Sequence, residues 1–124
     1  MKTSKSPDKS QKSFGFTFAE YQKAAIVTKK KWDTKEGDIA DCGLGIAGEA
    51  GEVADILKKH LSGSKVLDTA NTEKLKLELG DVMWYIASLC DCMGFDLGEI
   101  AGMNIDKLHK RHGDTYSGFG KREI

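Results

Sequence analysis

One proline, Pro7, is all that 124 residues contain, and β-branched runs are few. Little in the chain therefore interrupts helices. Cysteine is scarce and odd in number: Cys42, Cys90 and Cys92 form no CxxC pair, which excludes a disulfide framework and a zinc site. The expectation is reduced, mostly packed thiols that behave as small apolar groups. Charge of one sign is missing as well, because nineteen basic residues balance nineteen acidic ones. No net field draws the chain to a nucleic-acid polymer or an anionic membrane, although a small phosphorylated ligand needs only a local cluster of cations. No apolar run has the length of a transmembrane helix. The first thirteen residues, MKTSKSPDKSQKS, lack the apolar segment of a signal peptide. They are expected to form a disordered polar tail on a cytoplasmic protein.

What remains reads as one helical domain over residues 14–113, followed by an irregular, glycine-containing arm over 114–124. The periodicity predicts four helices. The first runs from Thr17 to Trp32, with Thr17 and Glu20 spaced as a capping box. The second runs from Asp38 to Leu61 and stops at Ser62-Gly63-Ser64. The third begins at Asn71 or Thr72 and stops at Gly94. The fourth follows Asp96 and runs to Arg111. No strand and no repeat stand out. Four helices on short connections make an all-α antiparallel bundle, and a domain this small is expected to be completed by oligomerisation.

Two pairs of acids occupy the wrong side of their helices. On a wheel of about 100° per residue, Ile46, Val53 and Ile56 fall within about 60° of Glu49, and Glu52 lies about 60° to the other side. Leu75, Val82, Tyr85 and Leu89 fall within about 60° of Glu78, and Asp81 again lies about 60° beyond. An isolated pair at i, i+3 is ordinarily a solvated face. Two pairs placed in apolar stripes on successive helices are not, and the twenty-five residues between Glu52 and Glu78 allow an antiparallel pair to bring them together. Four converging carboxylates must protonate or bind a cation. All-oxygen ligands suit Mg²⁺ or Mn²⁺. The Glu-x-x-His motifs of a di-iron bundle are absent. Asp55, about 120° from Glu49, reads as a surface residue.

Cations gather elsewhere. Asn104, Lys107 and Arg111 lie within about 60° of one another on the fourth helix, as a phosphate grip or as a solvated basic helix end. Lys58 and Lys59 close the second helix, where they complement its dipole or reach phosphate. Tyr85, one turn past Asp81, packs in the core or meets a base or ribose. Trp84 and Leu77 form a second apolar patch that suggests a subunit interface. His60 and His109 read as bystanders, and Tyr21 and Gln22 as packing or surface residues with a role in reading the base as the alternative.

The strings GLGIAGEAGEVADILKKH and LELGDVMWYIASL closely resemble the MazG-like branch of the all-α nucleotide pyrophosphohydrolases. That family carries ExxE, a spacer and ExxD, here Glu49-x-x-Glu52 and Glu78-x-x-Asp81. NIDKLHKRHG resembles its Asn-x-x-Lys-Leu-x-x-Arg segment as Asn104, Lys107, Leu108 and Arg111, and EYQKAAIVT resembles the first helix of phage and bacterial members. The likeness covers about residues 16 to 113. It implies Mg²⁺ held by Glu49, Glu52, Glu78 and Asp81, which serve as metal ligands and catalytic residues. It implies a nucleotide bound by Asn104, Lys107 and Arg111, to which Tyr85 and Lys58 are added as candidate contacts from their helix positions, and a homodimer or homotetramer. The implied reaction splits a nucleoside triphosphate, a dNTP or a non-standard NTP, between the α and β phosphates into monophosphate and pyrophosphate. Relatives hydrolyse dCTP, dUTP or phosphoribosyl-ATP, so the base stays open. The alternatives are a phosphoribosyl or signalling nucleotide as substrate, or a non-catalytic nucleotide-binding module.

Overall fold

The computed structural model describes residues 14–113, so the expectations for the 1–13 tail and the 114–124 arm lie outside the described residues. The described chain is all-helical: α1 (Phe18–Ala25) with a 3₁₀ turn (Ile26–Thr28), α2 (Lys35–Ser62), α3 (Thr69–Met93) and α4 (Leu97–His112). The capping box of α1 is present. Thr17 Oγ1 accepts from the Glu20 amide at 3.1 Å, and Glu20 Oε1 accepts from the Thr17 amide at 2.8 Å. Gly63 (φ +81°) and Gly94 (φ +71°) end α2 and α3 in the left-handed region, where a side chain would be strained.

Three boundaries differ from the sequence expectation. Helix α1 ends at Ala25 rather than Trp32, because Lys29 leaves the helix with ψ 131° and extends its ammonium to α3. Thr34 captures the Gly37 amide at 3.0 Å, which starts α2 at Lys35, three residues before Asp38. Asp68 accepts from the Asn71 amide at 2.8 Å and caps α3. Asn71 is not the cap: its side-chain amide donates to Val66 O at 2.7 Å and ties down the α2–α3 loop. His60 Nδ1 accepts from the Leu67 amide at 3.1 Å in the same loop, a structural task in line with its reading as a bystander. Asp96 caps α4 as expected, accepting from the Gly98 amide at 2.8 Å.

Helices α2 and α3 dominate the architecture as a long antiparallel pair. Along their shared face, the covered residues of α2 include Ile39, Cys42, Ile46, Glu49, Val53 and Ile56, and those of α3 include Asn71, Leu75, Glu78, Val82, Tyr85, Leu89 and Cys92; Ala87, Ser88 and Cys90 of α3 are buried on its other side. Both sets step by three and four residues, the spacing of a left-handed coiled-coil seam. The register runs from Cys42 beside Cys92, through Gly45 beside Tyr85 and Glu49 beside Glu78, to Ile56 in a shared cavity with Asn71. Glu49 and Glu78 therefore occupy seam positions that apolar residues fill elsewhere.

The core proper is small. Ala25, Ala87, Cys90 and Leu97 cluster with Tyr21, Trp84 and Ile86 packed against them. Trp84 anchors α1: its indole Nε1 donates to Ala25 O at 2.9 Å and to Thr28 Oγ1 at 3.2 Å. This corrects the sequence reading of Trp84 as an interface residue, because the side chain is used within the chain. Leu77, its predicted companion, is 70% exposed. Gln22 clamps the α3–α4 turn, donating from Nε2 to Phe95 O and accepting at Oε1 from the Leu97 amide, both at 2.9 Å. Trp84→Phe keeps the apolar ring and removes the donor. It is expected to lower stability by about 1 kcal/mol in urea titrations, the net worth of one hydrogen bond, since Thr28 Oγ1 still donates to Ala25 O at 3.2 Å; an unchanged midpoint would show that the indole bond does not hold α1.

Candidate active site

The seam brings three acids together. Carboxylate oxygens of Glu49, Glu78 and Asp81 all lie within 4.8 Å of one another. Glu49 and Glu78 are half-buried and Asp81 is exposed at the edge. Desolvation raises the Glu49 pKa above its ordinary 4.5, and a hydrogen bond with Glu78 and the charges of Asp81, Glu78 and Glu52 raise it further. Among the described residues, the lysine ion pairs Lys29–Asp91, Lys59–Asp55 and Lys76–Glu73 all go to other acids. A half-buried, all-oxygen cluster fits a hard divalent cation.

Glu52, one turn beyond Glu49, is exposed and stands outside the close triple, although its charge acts on Glu49. Tyr85 is where the sequence placed it. Its ring lies directly on the α2 backbone at Gly45, where an added Cβ would enter the ring, and its hydroxyl pKa is raised by burial and then by Asp41, Glu49 and Asp81. Beside it opens a cavity of about 410 Å³ lined by Thr28, Lys30, Lys31, Trp32, Asp41, Trp84 and Tyr85. The sequence reading missed this cavity. Its walls combine Thr28, Lys30, Lys31 and Trp32 from the segment between α1 and α2 with residues of α2 and α3, and Trp32 keeps helical spacing with Phe18 and Ala25, so no local signal marks the break.

Tyr21 packs in the core, and burial followed by the charge of Asp81 raises its pKa. Asp55 is exposed and paired with Lys59 at 2.7 Å, as its surface reading required. Lys58 is exposed near the end of α2. Asn104, Lys107 and Arg111 are exposed on α4. Helix α4 packs chiefly on α1, and among the described residues no hydrogen bond or ion pair joins these three to the acids.

The raised Glu49 pKa makes a signed prediction for the metal-free protein. A carboxyl that binds its proton more tightly when folded contributes stability at low pH and loses it as pH rises through the raised value. Glu20 and Asp55, lowered by Thr17 and Lys59 respectively, act in the opposite sense, so the difference between variants is the useful quantity. In a chelator, the melting temperature of Glu49→Gln minus that of wild type should increase from pH 4.5 towards neutrality; a flat difference would show that Glu49 is not under strain from its neighbours.

Residues 40–116 match the family described as MazG nucleotide pyrophosphohydrolase domain. The chain is 41% identical over 69 residues to the Gene 37 protein of Mycobacterium phage L5, a match that covers 55% of this chain and 60% of the phage protein. No solved structure matches it. With Glu49 and Glu78 in the seam of two long helices, and the matched region covering most of α2 and all of α3, the chain belongs to the MazG nucleotide pyrophosphohydrolase domain family.

Proposed function

We propose that this protein hydrolyses a nucleoside triphosphate, a dNTP or a non-standard NTP, between the α and β phosphates to a monophosphate and pyrophosphate. The observation that carries this reading is the acidic triple in the helical seam beside an aromatic cavity of about 410 Å³. That volume falls in the range of small-ligand sites.

Glu49, Glu78 and Asp81 would hold Mg²⁺, with Mn²⁺ as a substitute, and Glu52 would turn inward as the fourth ligand. When bound, the ion neutralises phosphate charge and makes water more acidic. The chain's own residues do the rest. A carboxylate has two oxygens, so Glu52 can ligate through one and take a proton from the attacking water on the other. That water attacks the α phosphorus in line with the leaving pyrophosphate. Trp32 and Tyr85 offer aromatic faces to the base and sugar, and Lys30 and Lys31 lie at the cavity wall. Lys58 lies on the same helix as Glu49 and Glu52, nearer its C-terminal end.

The remaining cations come from a second copy. Asn104, Lys107 and Arg111 are not brought to the acids within one chain, while Leu44, Leu61, Leu77 and Met103 are each more than 60% exposed. Pairing chains covers that apolar surface and brings one copy's α4 to the other's acids, as a homodimer or a pair of dimers.

Two outcomes test this reading. Pyrophosphate release from a panel of dNTPs and NTPs should require Mg²⁺ or Mn²⁺, and Glu78→Gln should abolish it while circular dichroism stays unchanged; turnover in chelator, or an active Glu78→Gln, would end the proposal. Gly45→Ala should displace the Tyr85 ring and lower kcat/KM by about tenfold or more, since small misplacements at a site are costly. Alanine is the better helix former, so the helical content should not fall; full activity would separate Tyr85 from substrate binding.

A further inference from the structure

Away from the acidic cluster, the same seam holds a second group of reactive side chains. Cys42 Sγ on α2 and Cys92 Sγ on α3 are 3.8 Å apart. Lys29, whose side chain is only 7% exposed, donates from Nζ to Cys92 Sγ at 2.8 Å, to Asp91 Oδ2 at 3.2 Å and to Ser88 O at 3.3 Å. Burial works to depress this ammonium, but the bonds to Cys92 and Asp91 outweigh it and hold its pKa above the ordinary 10.5. A persistent cation thus rests against the sulfur of Cys92. The two sulfurs differ in access: Cys42 is 2% exposed, whereas Cys92 is only partly covered.

We propose that Cys92 and Cys42 form a peroxide-responsive dithiol, with Cys92 oxidised first, Lys29 assisting it, and Cys42 closing a disulfide that staples α2 to α3. In the first step Cys92 sulfur attacks hydrogen peroxide. An S–O bond forms and the O–O bond breaks; the departing hydroxide takes the thiol proton and leaves as water. Sulfur is oxidised to a sulfenic acid and peroxide is reduced. In the second step Cys42 sulfur attacks Cys92 sulfur. The S–S bond forms, the S–O bond breaks, and the hydroxyl leaves as a second water with the Cys42 proton. The sulfurs need to approach by only about 1.8 Å to reach disulfide distance.

The division of labour follows from the surroundings. Burial, then the neighbouring Cys92 sulfur, push the Cys42 thiol up to about 11, so it waits protonated. Lys29, whose charge acts to lower the Cys42 pKa, stays beside the pair throughout. Cys90 is buried and raised by desolvation, with neither a lysine nor a second sulfur bonded to it among the described residues, and serves as an internal control.

The experiment treats the reduced full-length protein with hydrogen peroxide, blocks free thiols and maps peptides by mass spectrometry without reductant. The expected product is an intramolecular Cys42–Cys92 link about 2 Da lighter than the dithiol, reversed by dithiothreitol. Closing the loop should raise the melting temperature by on the order of 10 °C. Cys42→Ala should instead accumulate a dimedone-reactive sulfenic acid at Cys92, and Lys29→Met should slow its formation about tenfold while Lys29→Arg restores it. Should Lys29→Met unfold, the Cys42→Ala result still decides the order of oxidation. The proposal is overturned by Cys92 reacting no faster than Cys90, by a link between copies, by direct oxidation to sulfinic acid with Cys42 still reduced, or by a bridge about 14 Da heavier joining Lys29 to Cys92 through oxygen.

Discussion

The structure depends on a helical seam that accepts charge where it should accept methyl groups. Glu49 and Glu78 take positions in a three-four repeat whose other members include Ile46, Val53, Leu75 and Val82. Apolar residues there would knit α2 and α3 together at no electrostatic cost. Acids there repel and resist desolvation, which raises the Glu49 pKa above its ordinary value. A domain with so small a core has little reserve against such a burden. The arrangement makes physical sense when a cation completes it, for then the repulsion among the acids becomes binding energy and the seam closes.

This seam explains how much the sequence disclosed. The acids were conspicuous because helical geometry converts spacing into direction, and Glu49 and Glu78 point where only packing residues belong. Caps at Thr17 and Asp96 and stops at Gly63 and Gly94 were equally legible, since each is a local contest among neighbouring backbone groups. Glu52 shows the limit of the wheel. It shares the spacing of a motif residue, yet it lies at the margin of the seam, and direction alone does not fix whether a flexible side chain turns inward.

What escaped was non-local. The sequence from Thr17 to Trp32 is compatible with one helix throughout, but the chain breaks after Thr28 because Lys29 finds three partners on α3, sixty residues away in order of magnitude. That break creates the extended segment leading to Trp32, and with it the cavity beside Tyr85. The same long-range bond brings an ammonium to Cys92. Cys42 and Cys92 are separated by 50 positions, and no spacing rule pairs them; only the antiparallel register of α2 and α3 does. One tertiary contact thus governs both the nucleotide-sized cavity and the thiol pair.

The glycines of α2 carry the last step. Each glycine in a helix interior costs about 1 kcal/mol relative to alanine, so a helix that keeps several has a use for them. Gly45 has a visible one, because Tyr85 lies where its Cβ would be. Gly43, Gly48 and Gly51 do not: an added Cβ at any of them meets nothing within 4 Å. They lie with exposed Ala47 and Ala50, and beside the projecting Leu44, on the face of α2 away from α3. Solvent needs no such surface, whereas a second backbone at close range does. The same stretch of α2 that turns Glu49 towards α3 therefore presents an outer face of mostly small residues, which is what the proposed partner copy requires if its α4 is to bring Lys107 and Arg111 to acids that this chain's own α4 does not reach.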